Sequence, residues 1–290
     1  MTERKKAFIG IILCVFFWGI SFVSIKIALS VYPPMSLGMF RFAVAVAFLY
    51  FIKQKYGKTE KFEWRDLPSL VVASVLGVSL YFFLENNGVK RVSVSEAAII
   101  VGAIPVVTMA AEAVFQRRPV LKRQWAGAVV SIAGAALVSG VSLAFSGSSS
   151  GYLFMAAAVL CWIAYSFVTP SLFSRRSLLY IVFWQSVFGM AGFVPFALAE
   201  MPEWGTPTIA VWLHILFLGT ACSALGYWFY AKSLETLGVS VSALFINFIP
   251  VISVIAGVVV MGDSLKALQW AGAVLVLVGV YMAVLFVPQR

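Results

Sequence analysis

The chain is poor in charge. Only 11% of its 290 residues are Asp, Glu, Lys or Arg, against roughly 25% in soluble domains. So few charges cannot coat a water-facing surface, although they suffice where lipid is the solvent. The residues of catalysis and cross-linking are scarce too. There is one histidine, and Cys14, Cys161 and Cys222 each lie inside an apolar run. That excludes a disulfide framework and any Cys/His metal spacing, so neither metal nor cofactor is expected. No apolar run carries an aspartate, which leaves an intramembrane enzyme without paired carboxylates, and a lone histidine does not make a metal site. No linker is longer than roughly 15 residues, so no extramembrane domain fits. A cleavable leader is not expected, because the first apolar run, about 7–29, is longer than an h-region of about 7–15 residues. The net charge of +10 sits in short clusters between apolar runs, which argues against a nucleic-acid partner.

What remains is apolar: 62% of residues are hydrophobic and the mean hydropathy is +1.00. A bilayer core takes about 20 apolar residues per helix. Ten such runs are present, at about 7–29, 35–53, 67–86, 93–115, 125–143, 151–173, 177–199, 208–232, 239–261 and 267–287. They are long and continuous, whereas barrel strands alternate every second residue. Turn chemistry separates several of them, as in Tyr32-Pro33-Pro34 and Ser146-Gly147-Ser148. With the N-terminus placed inside, about 16 Lys and Arg fall at cytoplasmic ends, among them Arg4, Lys55, Arg117, Arg118 and Arg176. About 3, Lys90, Arg91 and Lys266, fall outside. The bias predicts both termini in the cytoplasm and an even helix count.

A shift of 145 residues superposes the chain on itself. Ile104-Pro105-Val106 falls on Ile249-Pro250-Val251, and Gln124-Trp125-Ala126-Gly127-Ala128-Val129 on Gln269-Trp270-Ala271-Gly272-Ala273-Val274. Between 94 and 138 about 15 of 45 positions agree. Trp18 with Trp162 and Tyr81 with Tyr227 align at slightly different offsets. Two units are expected, 1–145 and 146–290, each of five helices. Because five is odd, the second enters the membrane from the opposite side. Arg117 and Arg118 accordingly correspond to Gly262 and Asp263, where the basic cluster has gone. The expected fold is therefore an all-α membrane protein of about ten helices, in two inverted five-helix repeats around a central cavity. Such repeats supply the two states of alternating access.

At Phe17-Trp18-Gly19-Ile20-Ser21-Phe22-Val23-Ser24-Ile25-Lys26, Pro33-Pro34 and Arg41-Phe42, and at the repeated Pro helix followed by Gln-Trp-Ala-Gly, the chain resembles the EamA family of the drug/metabolite transporter superfamily. The resemblance covers nearly the whole length. It implies secondary transport, often export of amino acids or related metabolites. The chain departs from the family in one feature: the usual Gly-Glu pair after the Pro helix is Gly262-Asp263 in one half and Arg117-Arg118 in the other, so Asp263 receives no carboxylate role.

Polar groups at membrane depth need a reason. Trp18 and Ser21 share a face of helix 1, and Trp162 and Tyr165 repeat the spacing on helix 6. Gly77, Tyr81 and Glu85 share a face of helix 3, matched by Ser223, Tyr227 and Ala231 on helix 8. These faces, with Asn247 ahead of Pro250, are expected to wall the substrate chamber. Aromatic rings grip apolar or cationic groups and hydroxyls orient polar ends; otherwise the rings are packing or interface anchors. Pro105 and Pro250 are expected mid-helix as hinges or static kinks. Lys26 or Arg41 is expected to pair with Glu85 or Glu96 in an outer gate or proton site, or Lys26 to snorkel to the headgroups. Gly127, Gly134, Gly272 and Gly279 form small-residue faces for helix packing or a dimer surface.

The function expected is export of a small metabolite, foremost an amino acid, across a bacterial inner membrane, with the lipid bilayer as partner and protons as a candidate coupling ion, by a monomer or homodimer. A drug or choline-like quaternary amine is the alternative substrate. A channel is disfavoured by the inverted repeat.

Overall fold

The computed structural model describes residues 2–56, 60–92, 97, 100–115, 120–138, 147–261 and 267–284. Among these residues there is no strand. Six helices are long and apolar enough to cross a membrane: α1 (Glu3–Leu29), α2 (Pro34–Tyr56), α3 (Trp64–Val89), and later α6 (Ser149–Leu172), α7 (Leu178–Ala199) and α8 (Ile209–Leu237). Shorter apolar helices stand at the other expected places. They are α4 (Ile100–Phe115), α5 (Lys122–Val138), the two-piece α9 (Val239–Ile246 and Phe248–Met261) and α10 (Ala267–Val284). The chain is a helical, multi-pass membrane protein.

Local chemistry sets the starts. Thr2, Ser148, Ser177 and Thr208 each stand in extended backbone before a helix, and each side-chain oxygen accepts from the backbone N–H three residues on. In lipid an unpaired N–H is expensive, so these caps matter more than in water. Between α8 and α9 the chain turns on Gly238 alone, at φ +86°, a backbone state that glycine adopts without a Cβ penalty.

The two prolines are not inside continuous helices. The helical run of α4 breaks at Ala103 and resumes at Ile104; that of α9 breaks at Asn247 and resumes at Phe248. Pro105 and Pro250 therefore occupy the first turn of a restarted helix, where a missing N–H leaves no bond unmade. The mid-helix kink is corrected to a break just ahead of each proline.

Packing is tightest between α5 and α10. A Cβ on Gly127 would come within 2.5 Å of the Gly279 carbonyl, and one on Gly279 within 2.5 Å of the Gly127 carbonyl. Gly134 and Gly272 are related in the same way, at 2.7 Å each. The pairing 127 with 279 and 134 with 272 makes the two helices antiparallel. Since lipid tails are as apolar as leucine, association here rests on close backbone approach, which only glycine permits. The glycine faces are thus used within the chain, where a dimer surface had been the alternative. Gly279→Val should abolish this contact; a lower melting temperature and aggregation in detergent are expected, whereas Val278→Ala on the exposed face should melt like the parent.

Candidate substrate site

Two short π-helical turns, which the hydropathy pattern does not signal, organise the centre. One spans Val75–Ser79 within α3, the other Leu218–Leu225 within α8. Such turns insert an extra residue into a helix and are frequent at functional sites. Each presents a carbonyl to an aromatic side chain from the other half of the chain. Tyr227 Oη donates to the Gly77 carbonyl at 2.5 Å. Trp18 Nε1 donates to the Cys222 carbonyl at 3.0 Å. Gly77 and Cys222 are 145 residues apart, the offset of the internal repeat.

These bonds fix an aromatic cluster. Trp18 meets Trp162 edge to face, with centroids 5.2 Å apart, and Trp162 lies 5.0 Å from both Tyr81 and Tyr230. Trp162 Nε1 donates to Tyr230 Oη at 3.1 Å, and that hydroxyl also bonds Ser166. Edge-to-face pairs of this kind add about 0.5–1.5 kcal/mol beyond buried area. On the cluster rests a cavity with about 490 Å³ of empty space, its open mouth included. Trp18, Ser21, Tyr81, Glu85, Trp162 and Tyr227 line it, together with Phe22, Ile25, Phe82, Val101, Ile104, Ile246 and Ile249. Its walls come from α1, α2, α3 and α4 of the first half and α6, α8 and α9 of the second. It lies from mid-bundle toward the end where α1 finishes.

Two buried charges share the cavity. Arg41, 4% exposed, donates from Nε to Ser223 Oγ at 2.5 Å and lays its guanidinium 4.4 Å from the Phe82 ring centre. Glu85, 7% exposed, accepts from Tyr81 Oη at 2.7 Å. Among the described residues no ion pair within 4.0 Å joins them. The expectation for Arg41 is a pair with Glu85 or Glu96 in an outer gate or proton site; the structure sets it in the cavity wall, tied to Ser223.

Other expected site residues stand elsewhere. Tyr165 lies behind the wall, its ring against Gly77, bonded to Gln185. Ser223 is turned to Arg41. Asn247 is buried and donates to Ser131 at 2.7 Å. None of these three lines the cavity, because each is held by a neighbouring helix. Lys26 is exposed and makes no ion pair among the described residues. Glu96, Arg117, Arg118 and Asp263 lie outside the described residues. Glu112 accepts from Ser240, and His214 bonds Ser24 at 3.0 Å. Tyr230 was not foreseen, although it follows Tyr227 by three residues on one helix face.

The model of the EamA-like transporter family matches residues 5–140 and again 149–285. The chain belongs to the EamA-like transporter family. Within curated proteins this EamA chain is 27% identical to an Archaeoglobus fulgidus protein named "Uncharacterized transporter", over 96% of this chain and 99% of that one. It is 26% identical to the "Probable terminal-alkyne amino-acid exporter" of Streptantibioticus cattleyicolor, over 97% and 94%. It is 25% identical to the "Probable amino-acid metabolite efflux pump" of Salmonella typhimurium, over 97% and 95%. A solved crystal structure superposes with a TM-score of 0.79 at 19% identity, covering 98% of each chain, which shows the fold.

Tyr227→Phe removes the donor to Gly77 and leaves the ring. A loss of about 1 kcal/mol is expected, read as a lower melting temperature in detergent; an unchanged melt means that the bond holds nothing together.

Proposed function

We propose that this chain is a secondary active exporter of small metabolites, foremost amino acids, working by alternating access between two inverted halves, 1–145 and 146–290. One observation carries the reading: a buried cavity, walled by helices of both halves, with charged and aromatic groups facing its space. A site shared in this way changes its exposure when one half rocks on the other. The antiparallel contact of α5 with α10, equivalent helices by the 145-residue offset, supports the inversion. The names of two relatives support amino-acid export.

Each end of the bundle is fastened across the halves. At the end where α1 begins, Arg176 holds Asp66 at 2.6 Å and Glu63 at 2.5 Å, and Tyr180 Oη adds a bond to Asp66. At the other end Glu200 accepts from the backbone and side chain of Ser36, both at 2.7 Å, and Trp204 Nε1 donates to Ser36 Oγ. Alternating access requires one fastening to part while the other holds. The Lys and Arg bias supports an inner-membrane orientation with both termini cytoplasmic, which places the Arg176 clasp inside and the cavity toward the outside. Glu85, the one carboxylate lining the cavity among the described residues, is the candidate for proton coupling.

Purified protein in liposomes should show saturable counterflow of a labelled metabolite, faster under a pH gradient; passage that neither saturates nor exchanges indicates a channel. Asp66→Asn should cut turnover while binding persists, since Arg176 then keeps only the Glu63 carboxylate and the clasp is weakened. Single cysteines at Lys122 and Ala267, introduced after replacing the native ones, should be labelled from opposite faces of the membrane. Labelling from one face overturns the inverted arrangement.

A further inference from the structure

The cavity holds two opposite charges that do not neutralise each other. Nε of Arg41 is committed to Ser223 and the guanidinium plane to Phe82. Its two terminal nitrogens have no acceptor among the described residues, yet neither is sealed away as a buried atom without a partner. Glu85 mirrors this: Oε1 is taken by Tyr81, and Oε2 has no donor. A buried charge is costly unless paired. Here each side chain is instead tied to its own neighbours, and both line the shared space. The rest of the lining is almost wholly apolar or aromatic, Ser21 being the other polar side chain outside the ring hydroxyls.

We propose that Arg41 and Glu85 are the two poles of a zwitterion site that recognises free α-amino acids with apolar or aromatic side chains. This rests on the transporter reading above and narrows its amino acids to those with apolar or aromatic side chains, held at both poles. The planar guanidinium, held at Nε, offers a paired fork to the α-carboxylate. Glu85 Oε2 accepts from the α-ammonium, assisted by the faces of Tyr81 and Trp162. The side chain of the substrate lies against Phe22, Ile25 and Ile249. A solute carrying one pole leaves the other protein charge buried and bare, so the site rejects amines and carboxylic acids of the same shape.

The test is counterflow in proteoliposomes with the twenty protein amino acids, and with phenethylamine and 3-phenylpropionate as one-pole analogues of phenylalanine. One or more apolar amino acids should exchange, and each one-pole analogue should be weaker than phenylalanine by roughly a hundredfold or more. Arg41→Gln should lose phenylalanine and move the ratio toward phenethylamine, while Glu85→Gln moves it toward 3-phenylpropionate. Analogues that exchange as well as phenylalanine overturn the proposal, as do ratios unmoved in both variants. Should either variant fail to fold, the parent ratios alone decide. If no amino acid exchanges but another solute class does, the zwitterion site falls and the transporter stands. If no solute from a broad metabolite panel exchanges, the transporter reading itself has failed.

Discussion

The centre of this protein depends on two carbonyl oxygens, those of Gly77 and Cys222. Each lies in a π-turn, and each accepts a hydrogen bond from an aromatic side chain of the opposite half, Tyr227 and Trp18 respectively. In a medium without water such bonds have few competitors, and the polar tips of Trp and Tyr have few other partners. The two bonds join the halves at mid-membrane and set the rings at fixed angles. Everything that lines the cavity is placed relative to those rings.

That arrangement divides labour along the membrane normal. The middle is rigid, with interlocked rings, two π-turns and the Trp162–Tyr230–Ser166 chain of hydrogen bonds. The ends are fastened by charge, through Arg176 with Asp66 and Glu200 with Ser36. Asp66 is buried and Arg176 nearly so, so that pair parts only as water enters to solvate both charges, while the middle keeps its shape. The glycine seam of α5 and α10 lies apart from the cavity wall and contributes the closest backbone contact between halves. A transporter needs a site that persists while its exposure changes, and this distribution of interactions fits that need.

Much of the architecture was legible in the residues. Long apolar runs marked the helices, because hydropathy is a local property and lipid demands a helix from any such run. Trp18, Tyr81, Trp162 and Tyr227 were legible as a set, because their pattern recurs in both halves. For Arg41 the sequence says only that it lies about two turns into α2, which leaves open the direction it faces. Asn247 and Ser223 were read as cavity residues for the same reason; each instead bonds a residue on a neighbouring helix, Ser131 and Arg41. The spacing of Tyr227 and Tyr230 already places both rings on one helix face, the signal that Tyr230 belongs to the cluster.

By itself the sequence determined that this chain lives in lipid, that it is helical, and that its second half repeats its first. Each of those follows from composition and from local or self-comparison. Only the tertiary structure decided which polar atoms meet. An inserted π residue turns everything beyond it by about 100° about the helix axis, and hydropathy, which averages over a window, does not register one residue. The placement of Tyr81, Glu85 and Tyr227 in the cavity wall follows a π-turn in each of their helices, and that of Arg41 follows its contact with Ser223 of the other half.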